Sequence, residues 1–184
     1  MAHAELNGGR GWNPWRIARW SVAGLLLMAP LVAMRFTSEV VWGVEDFIFA
    51  GVMIGGAGLA YELAVRARGG AAYRAGCAVA LGAAFVTIWI NAAVGIIGTE
   101  GDPANLIFAA VIAIALGGAA VARFRPAGMA RAMSATAIAQ AVTAVIALSA
   151  ELPAFILSTF LLALWIVAAA LFRKAADGAS GRSG

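Results

Sequence analysis

The sequence predicts an all-α, polytopic membrane protein: a bundle of six transmembrane helices with both termini on the cytoplasmic side. Three observations lead there. Of 184 residues, 63% are hydrophobic and only 12% charged, whereas soluble domains carry about 25% charged residues. The apolar residues gather into six long runs, and the charges between those runs segregate by sign. With a mean hydropathy of +0.91, lipid must be the solvent for much of the chain, and nothing remains for a separate soluble domain.

The runs are residues 17–34, 42–65, 76–97, 104–122, 132–148 and 152–172. At 1.5 Å per residue each approaches the hydrocarbon thickness of about 30 Å. Helix is the expected conformation, because backbone groups in lipid must be satisfied within helices or closed barrels. Barrel strands alternate apolar and polar residues, and "LIFAAVIAIALGGAAVA" does not. The fifth run is the shortest and the least hydrophobic.

Charge sets the orientation. Arg10, Arg16 and Arg19 precede the first run, and Arg66, Arg68 and Arg74 lie between the second and third. Arg123, Arg125 and Arg131 lie between the fourth and fifth, and Arg173, Lys174 and Arg182 follow the sixth. Only Arg35 falls on the other side, against Glu39, Glu45, Asp46, Glu100, Asp102 and Glu151. The positive-inside rule assigns the basic side to the cytoplasm. Five or seven spans would break this segregation. The first run lacks a small-x-small cleavage site, which favours a retained span over a signal peptide.

The domain organisation follows: a flexible cytoplasmic tail at residues 1–15, the helical domain at 16–174 and a second flexible tail at 175–184. Both tails are Gly-rich and too poor in apolar residues to order themselves. "WNPWRIARW" sets three tryptophans among arginines, the pattern of an interfacial anchor. The pI of 10.2 and net charge of +4 follow from membrane topology, and no nucleic-acid surface is expected, since no basic patch is interleaved with exposed aromatics. A weak internal similarity relates "DFIFAGV" (46–52) to "NLIFAAV" (105–111).

Candidate packing residues are Gly51 and Gly55, a small-xxx-small pair, and Gly95 and Gly98. The last two end a stripe running through Gly76, Ala80, Ala84, Thr87 and Asn91. Lipid gives helices no hydrophobic drive to associate, so close backbone approach and interhelical hydrogen bonds are expected to do it. Span three is therefore expected to be central, its stripe facing spans two and five.

Few residues can carry chemistry. The only histidine, His3, lies in the tail, and the only cysteine is Cys77. No metal site, cofactor fingerprint or nucleophile–base pair is present, so the chain is expected to be non-enzymatic and without cofactor. Glu45 and Asp46 suit the start of a helix; the sharper reading is a cation or proton site. Glu62 lies inside span two, but Arg66 four residues later offers an ordinary helical ion pair. Asn91, Thr87, Gln140 and Thr143 are either interhelical hydrogen-bonding groups or the lining of a polar pathway, because an unpaired amide in hydrocarbon costs about 4–8 kcal/mol. In "GIIGTEGDPANLI", Asp102 is placed to cap the fourth span with Pro103 at its first position, and Asn105 can extend a polar mouth with Glu100.

The segments "PLVAMRFTSEVVWGVEDFIFAGVMIGGAGLAYELAVR" (30–66) and "WINAAVGIIGTEGDPANLI" (89–107) resemble an uncharacterised family of small bacterial multi-pass membrane proteins, over about residues 20–140. The resemblance implies a bacterial inner-membrane protein and assigns no activity or site residue. Function is therefore expected to be that of an accessory or structural membrane protein, whose partners are the lipid bilayer, other membrane proteins or copies of itself. A small permease or channel is the alternative.

Overall fold

A computed structural model describes residues 14–67, 70–99 and 101–181. Residues 1–13, Arg68, Glu100 and Arg182, which figure in the expected tails, charge pattern and polar mouth, lie outside the described residues. Six α-helices follow one another: α1 Pro14–Ala33, α2 Val44–Ala67, α3 Ala71–Ala93, α4 Leu106–Val121, α5 Pro126–Ala150 and α6 Leu152–Ser180. No strand occurs among the described residues. Five of them (α2 to α6) are long and apolar enough to cross a membrane, so the architecture is that of a multi-pass membrane helix bundle. The apolar part of α1, Ile17–Ala33, is shorter. At the other end α6 continues to Ser180, beyond the expected limit at Phe172, so residues 175–180 are helical.

The chain divides into two compact units, residues 1–59 and 60–184. In the first, α1 and the larger part of α2 meet where the Trp20 ring lies against Gly58, 3.4 Å from where a Cβ would stand. The start of α2 is closed by its own sequence. Asp46, at the third helical position, accepts a hydrogen bond from the Gly43 N–H at 2.8 Å. Trp42, just before the cap, stacks edge-on against Phe47 with ring centroids 5.2 Å apart. A carboxylate reaching back to the cap and an apolar clasp across the first turn are the two devices that fix a helix entry.

In the second unit α5 and α6 form the centre: α5 packs along α4 and α6, and α6 packs along α5 and α3. Within this unit α3 packs chiefly against α6 and not, as expected of a central span three, with its stripe against span five. The reason lies in side-chain size. Buried positions of α5 run Met129, Ala132, Met133, Thr136, Ala137, Gln140, Thr143, Ala144 and Ala147, and mostly small residues let two helices approach from opposite sides. Packed against α5 and α3, α6 buries Ala154, Ser158, Leu161, Trp165, Ala168 and Phe172. Those steps of four and three are a heptad seam, the pattern that brings antiparallel helices together at shallow angles.

Glycine makes close contacts between helices at Gly118 and at Gly76, the latter in the expected stripe. A Cβ on Gly118 of α4 would stand 2.8 Å from the Cβ of Ala132 on α5, and one on Gly76 of α3 would meet the Phe172 ring at 3.2 Å. At Gly51 and Gly55 a Cβ would meet nothing within 4 Å. Gly95 and Gly98 lie past the end of α3, at φ +77° and +63°, and serve a turn rather than a helix interface.

The outward surface is apolar, and the core is mainly apolar as well, with a few polar side chains set into it. Leu106, Ile138 and Val145 are each about two-thirds exposed, while Thr87, Thr136, Gln140 and Ser158 are fully buried. An apolar surface is expected of a protein whose solvent is hydrocarbon.

Replacing Gly118 with Leu should lower stability in detergent by about 1–3 kcal/mol through overpacking against α5. Leu at the adjacent Gly117, where a Cβ meets nothing within 4 Å, should be tolerated. Thermal unfolding of the two variants side by side checks this; equal melting temperatures would remove the α4–α5 contact from the account.

Candidate functional site

The polar residues singled out in the sequence fall on three helices, α2, α3 and α5. Glu45 and Asp46 are exposed at the start of α2, where Asp46 is engaged with Gly43. Glu62 and Arg66 form an ion pair at 3.3 Å along α2, with Glu62 only 10% exposed and Arg66 largely so. The guanidinium reaches out of the helix and the carboxylate is held against it, as an i, i+4 pair requires.

Thr87 and Asn91 share α3, and both turn back on their own helix. The Thr87 hydroxyl donates to the Ala83 carbonyl at 2.8 Å, and the Asn91 amide donates to the Thr87 carbonyl at 3.2 Å. Their donors thus make intrahelical bonds, in place of the interhelical ones expected. The Asn91 Oδ1 is buried without a partner. Asn91 lines a cleft of about 580 Å³ between α3 and α4, with Thr87 and Ile88 on one wall, Phe108 and Ile112 on the other and Asp102 at the rim.

Gln140 and Thr143 are not part of that cleft. Gln140 is sealed between α5 and α6, where its Nε2 donates to the Ser158 carbonyl at 3.3 Å and its Oε1 has no partner. Thr143 donates to the Gln140 carbonyl at 2.8 Å, and Thr136 to the Ala132 carbonyl at 3.0 Å. The Ser158 Oγ and Trp165 Nε1 are likewise buried without partners. A bilayer-buried polar atom left unpaired is costly, so the α5–α6 seam carries a polar cost that its packing offsets.

The residue that sequence reasoning most underrated is Asn105. Its Oδ1 accepts from the N–H groups of Ile96 and Ile97 at 3.0 and 2.9 Å, and its Nδ2 donates to the carbonyls of Ile97 and Thr99 at 3.0 and 2.8 Å. Four bonds exhaust what an asparagine amide can make. Expected at a polar mouth, the side chain is instead buried and fastens the α3–α4 loop from within. Gly95 permits this, since a Cβ there would stand 2.9 Å from the Asn105 Nδ2, and its left-handed backbone suits glycine. Asp102 accepts from the Ala104 N–H at 2.8 Å and caps the short 3-10 turn Pro103–Asn105 that leads into α4. Glu151, between α5 and α6, accepts from the Gly98 N–H at 2.8 Å. The acidic residues of this end therefore tie loops together.

The opposite end is tied by an aromatic pair. The buried Tyr73 donates its hydroxyl to the Phe124 carbonyl at 2.8 Å, and its ring meets Phe172 edge-on at 5.2 Å. Arg123 and Phe124 adopt positive φ there, 46° and 55°, an uncommon conformation for side-chain-bearing residues. The Tyr73 bond holds that turn from the α3 side.

Among the described residues, no group of three His, Cys, Asp or Glu side chains is placed to hold a metal. What the arrangement offers chemically is hydrogen bonding in the α3–α4 cleft and ion pairing at the helix ends.

Asn105→Leu should destabilise the chain by about 3 kcal/mol or more, because it strands two buried N–H donors at about 1–3 kcal/mol each. Gln140→Leu should change stability by less than about 1 kcal/mol, since it removes one long bond together with an unpaired acceptor. Chemical denaturation in detergent separates the two cases, and comparable losses would mean that Gln140 is held by partners beyond Ser158.

Comparison with known proteins adds no family: no family model matches the chain, and neither a curated protein nor a solved structure does.

Proposed function

We propose that this chain is a non-enzymatic accessory or structural protein of a bacterial inner membrane, acting through lateral contacts with other membrane proteins. In this reading it crosses the bilayer six times, with α1 as the first span and both termini in the cytoplasm, as the arginine distribution requires. The resemblance of residues 30–66 and 89–107 to small bacterial multi-pass proteins supports the same setting.

The observation that carries the accessory reading is the separation of the central polar residues. A permease needs its mid-membrane amides to face a shared aqueous path. Here Gln140 is sealed in the α5–α6 seam and Asn91 opens on the α3–α4 cleft. The Glu62–Arg66 and Glu151–Gly98 contacts satisfy charge locally and leave it little freedom to relay an ion. One feature favours the alternative of a small permease or channel. Asn91, whose buried Oδ1 has no partner, is among the residues lining a cleft large enough for a small solute.

Cysteine labelling decides between them. With Cys77 replaced, single cysteines at Asn91 and Gln140 are treated with a membrane-impermeant thiol reagent in intact cells. The accessory reading expects labelling at position 91 at most and none at 140, together with recovery of crosslinked membrane partners. Labelling at both positions, with solute flux into proteoliposomes, would establish the permease instead.

A further inference from the structure

At the basic end of the second unit, α5 and α6 line a recess of about 530 Å³. Arg131 lines it from α5 and Arg173 from α6, together with Ser134 of α5 and Asp177 one turn beyond Arg173. Two guanidinium groups from different helices thus face one space. Among the described residues neither is held in an ion pair, although Arg173 and Asp177 have the spacing for one.

Three further features point to what the recess takes. Ala127 contributes to its wall, in the first turn of α5, whose cap at Arg125 has no side-chain hydrogen bond; the first N–H groups of a helix and its dipole favour an anion there. Ala130 and Ala135 keep the recess open by their small size. From Ala127 the lining descends along α5 to Ile138, about 16 Å at 1.5 Å per residue, and Ile138 lies on the exposed apolar surface. The recess is therefore cationic at one end and open to hydrocarbon at the other. Its level fits as well: α6 has 29 residues, about 43 Å against a hydrocarbon core of about 30 Å, so Arg173 falls near the headgroups.

We propose that this recess is a binding site for an anionic phospholipid. The phosphodiester sits between Arg131 and Arg173, the Ser134 hydroxyl and Asp177 meet the polar headgroup, and an acyl chain runs along Ala135 and Ile138. Charge selects the ligand class. Two arginines and one aspartate leave one net positive charge, which a singly anionic headgroup such as phosphatidylglycerol neutralises and a zwitterionic one does not. Arginine suits the task because its planar fork pairs with two phosphate oxygens at once. The assignment depends on the chain lying in a membrane and not on the accessory role, so either can fail without the other.

The test uses the full chain purified in a neutral detergent and titrated separately with phosphatidylglycerol, phosphatidylcholine and inorganic phosphate, with bound lipid counted by native mass spectrometry and unfolding followed by heating. Phosphatidylglycerol should be retained and should raise the melting temperature, with little effect from the other two. Arg131→Gln/Arg173→Gln should weaken retention about tenfold or more, at roughly a fivefold loss per arginine. Arg74→Gln/Lys174→Gln, with the same loss of charge outside the recess, should retain the lipid. Ala135→Leu, which fills the recess and keeps both arginines, should also lose it, and it replaces the double variant should that fail to fold. Equal retention of phosphatidylcholine, an equal response to free phosphate, or undiminished binding in the recess variants would each overturn the proposal.

Discussion

The structure depends on one constraint, the absence of water from the interior of a bilayer, which makes each buried polar group costly unless it finds a partner within the protein. Asn105 meets that constraint most completely. A loop between two helices must reverse the chain at the edge of the membrane, where the N–H groups of Ile96 and Ile97 have no helical acceptor. One asparagine supplies both acceptor bonds and returns both of its own donors to the same loop. With that loop fixed, α4 begins where Asp102 and Pro103 start it, and Glu151 joins the loop to the α5–α6 turn. The second unit is thus closed at one end by amide and carboxylate bonds and at the other by Tyr73 beneath the strained Phe124 turn.

Between these ends the helices are held by size rather than by specific polar contacts. Where Gly118 meets Ala132 and Gly76 meets the Phe172 ring, backbones or rings approach more closely than larger residues would allow. Dispersion over such contacts is what drives association when the solvent is as apolar as the side chains. The composition of α5, one of the two inner helices of the second unit, is consistent with this. Its mean hydropathy is the lowest of the five long helices, 1.6, and its buried share is the largest, 44%. A helix surrounded by other helices need not be hydrophobic, whereas one facing lipid must be.

Charge performs two different tasks. The acidic groups given hydrogen bonds or ion pairs, Asp46, Glu62, Asp102 and Glu151, are spent on helix starts, helix sides and loops. Arg131 and Arg173 have no carboxylate in that role and stand in a recess open to the surroundings. The distinction separates charges that build the fold from charges available for recognition.

The sequence by itself determined the class of the protein. Long apolar runs with few charges can form only helices in lipid, and the Asp102–Pro103 start of the fourth helical segment and the Glu62–Arg66 pair were readable because both are local, set by spacings of one to four residues. Tertiary structure decided everything that depends on which helix faces which. It set α5 and α6 rather than α3 at the centre of the second unit, turned Gly95 from a packing residue into a turn residue, and drew Asn105 inward from a supposed polar mouth. It also separated Asn91 from Gln140 and brought Arg131 beside Arg173, 42 positions apart in the chain. The physical reason is that apolar periodicity is nearly uniform around these helices. With no polar face to mark the lipid side, only the fit of small residues against large ones selects the partners.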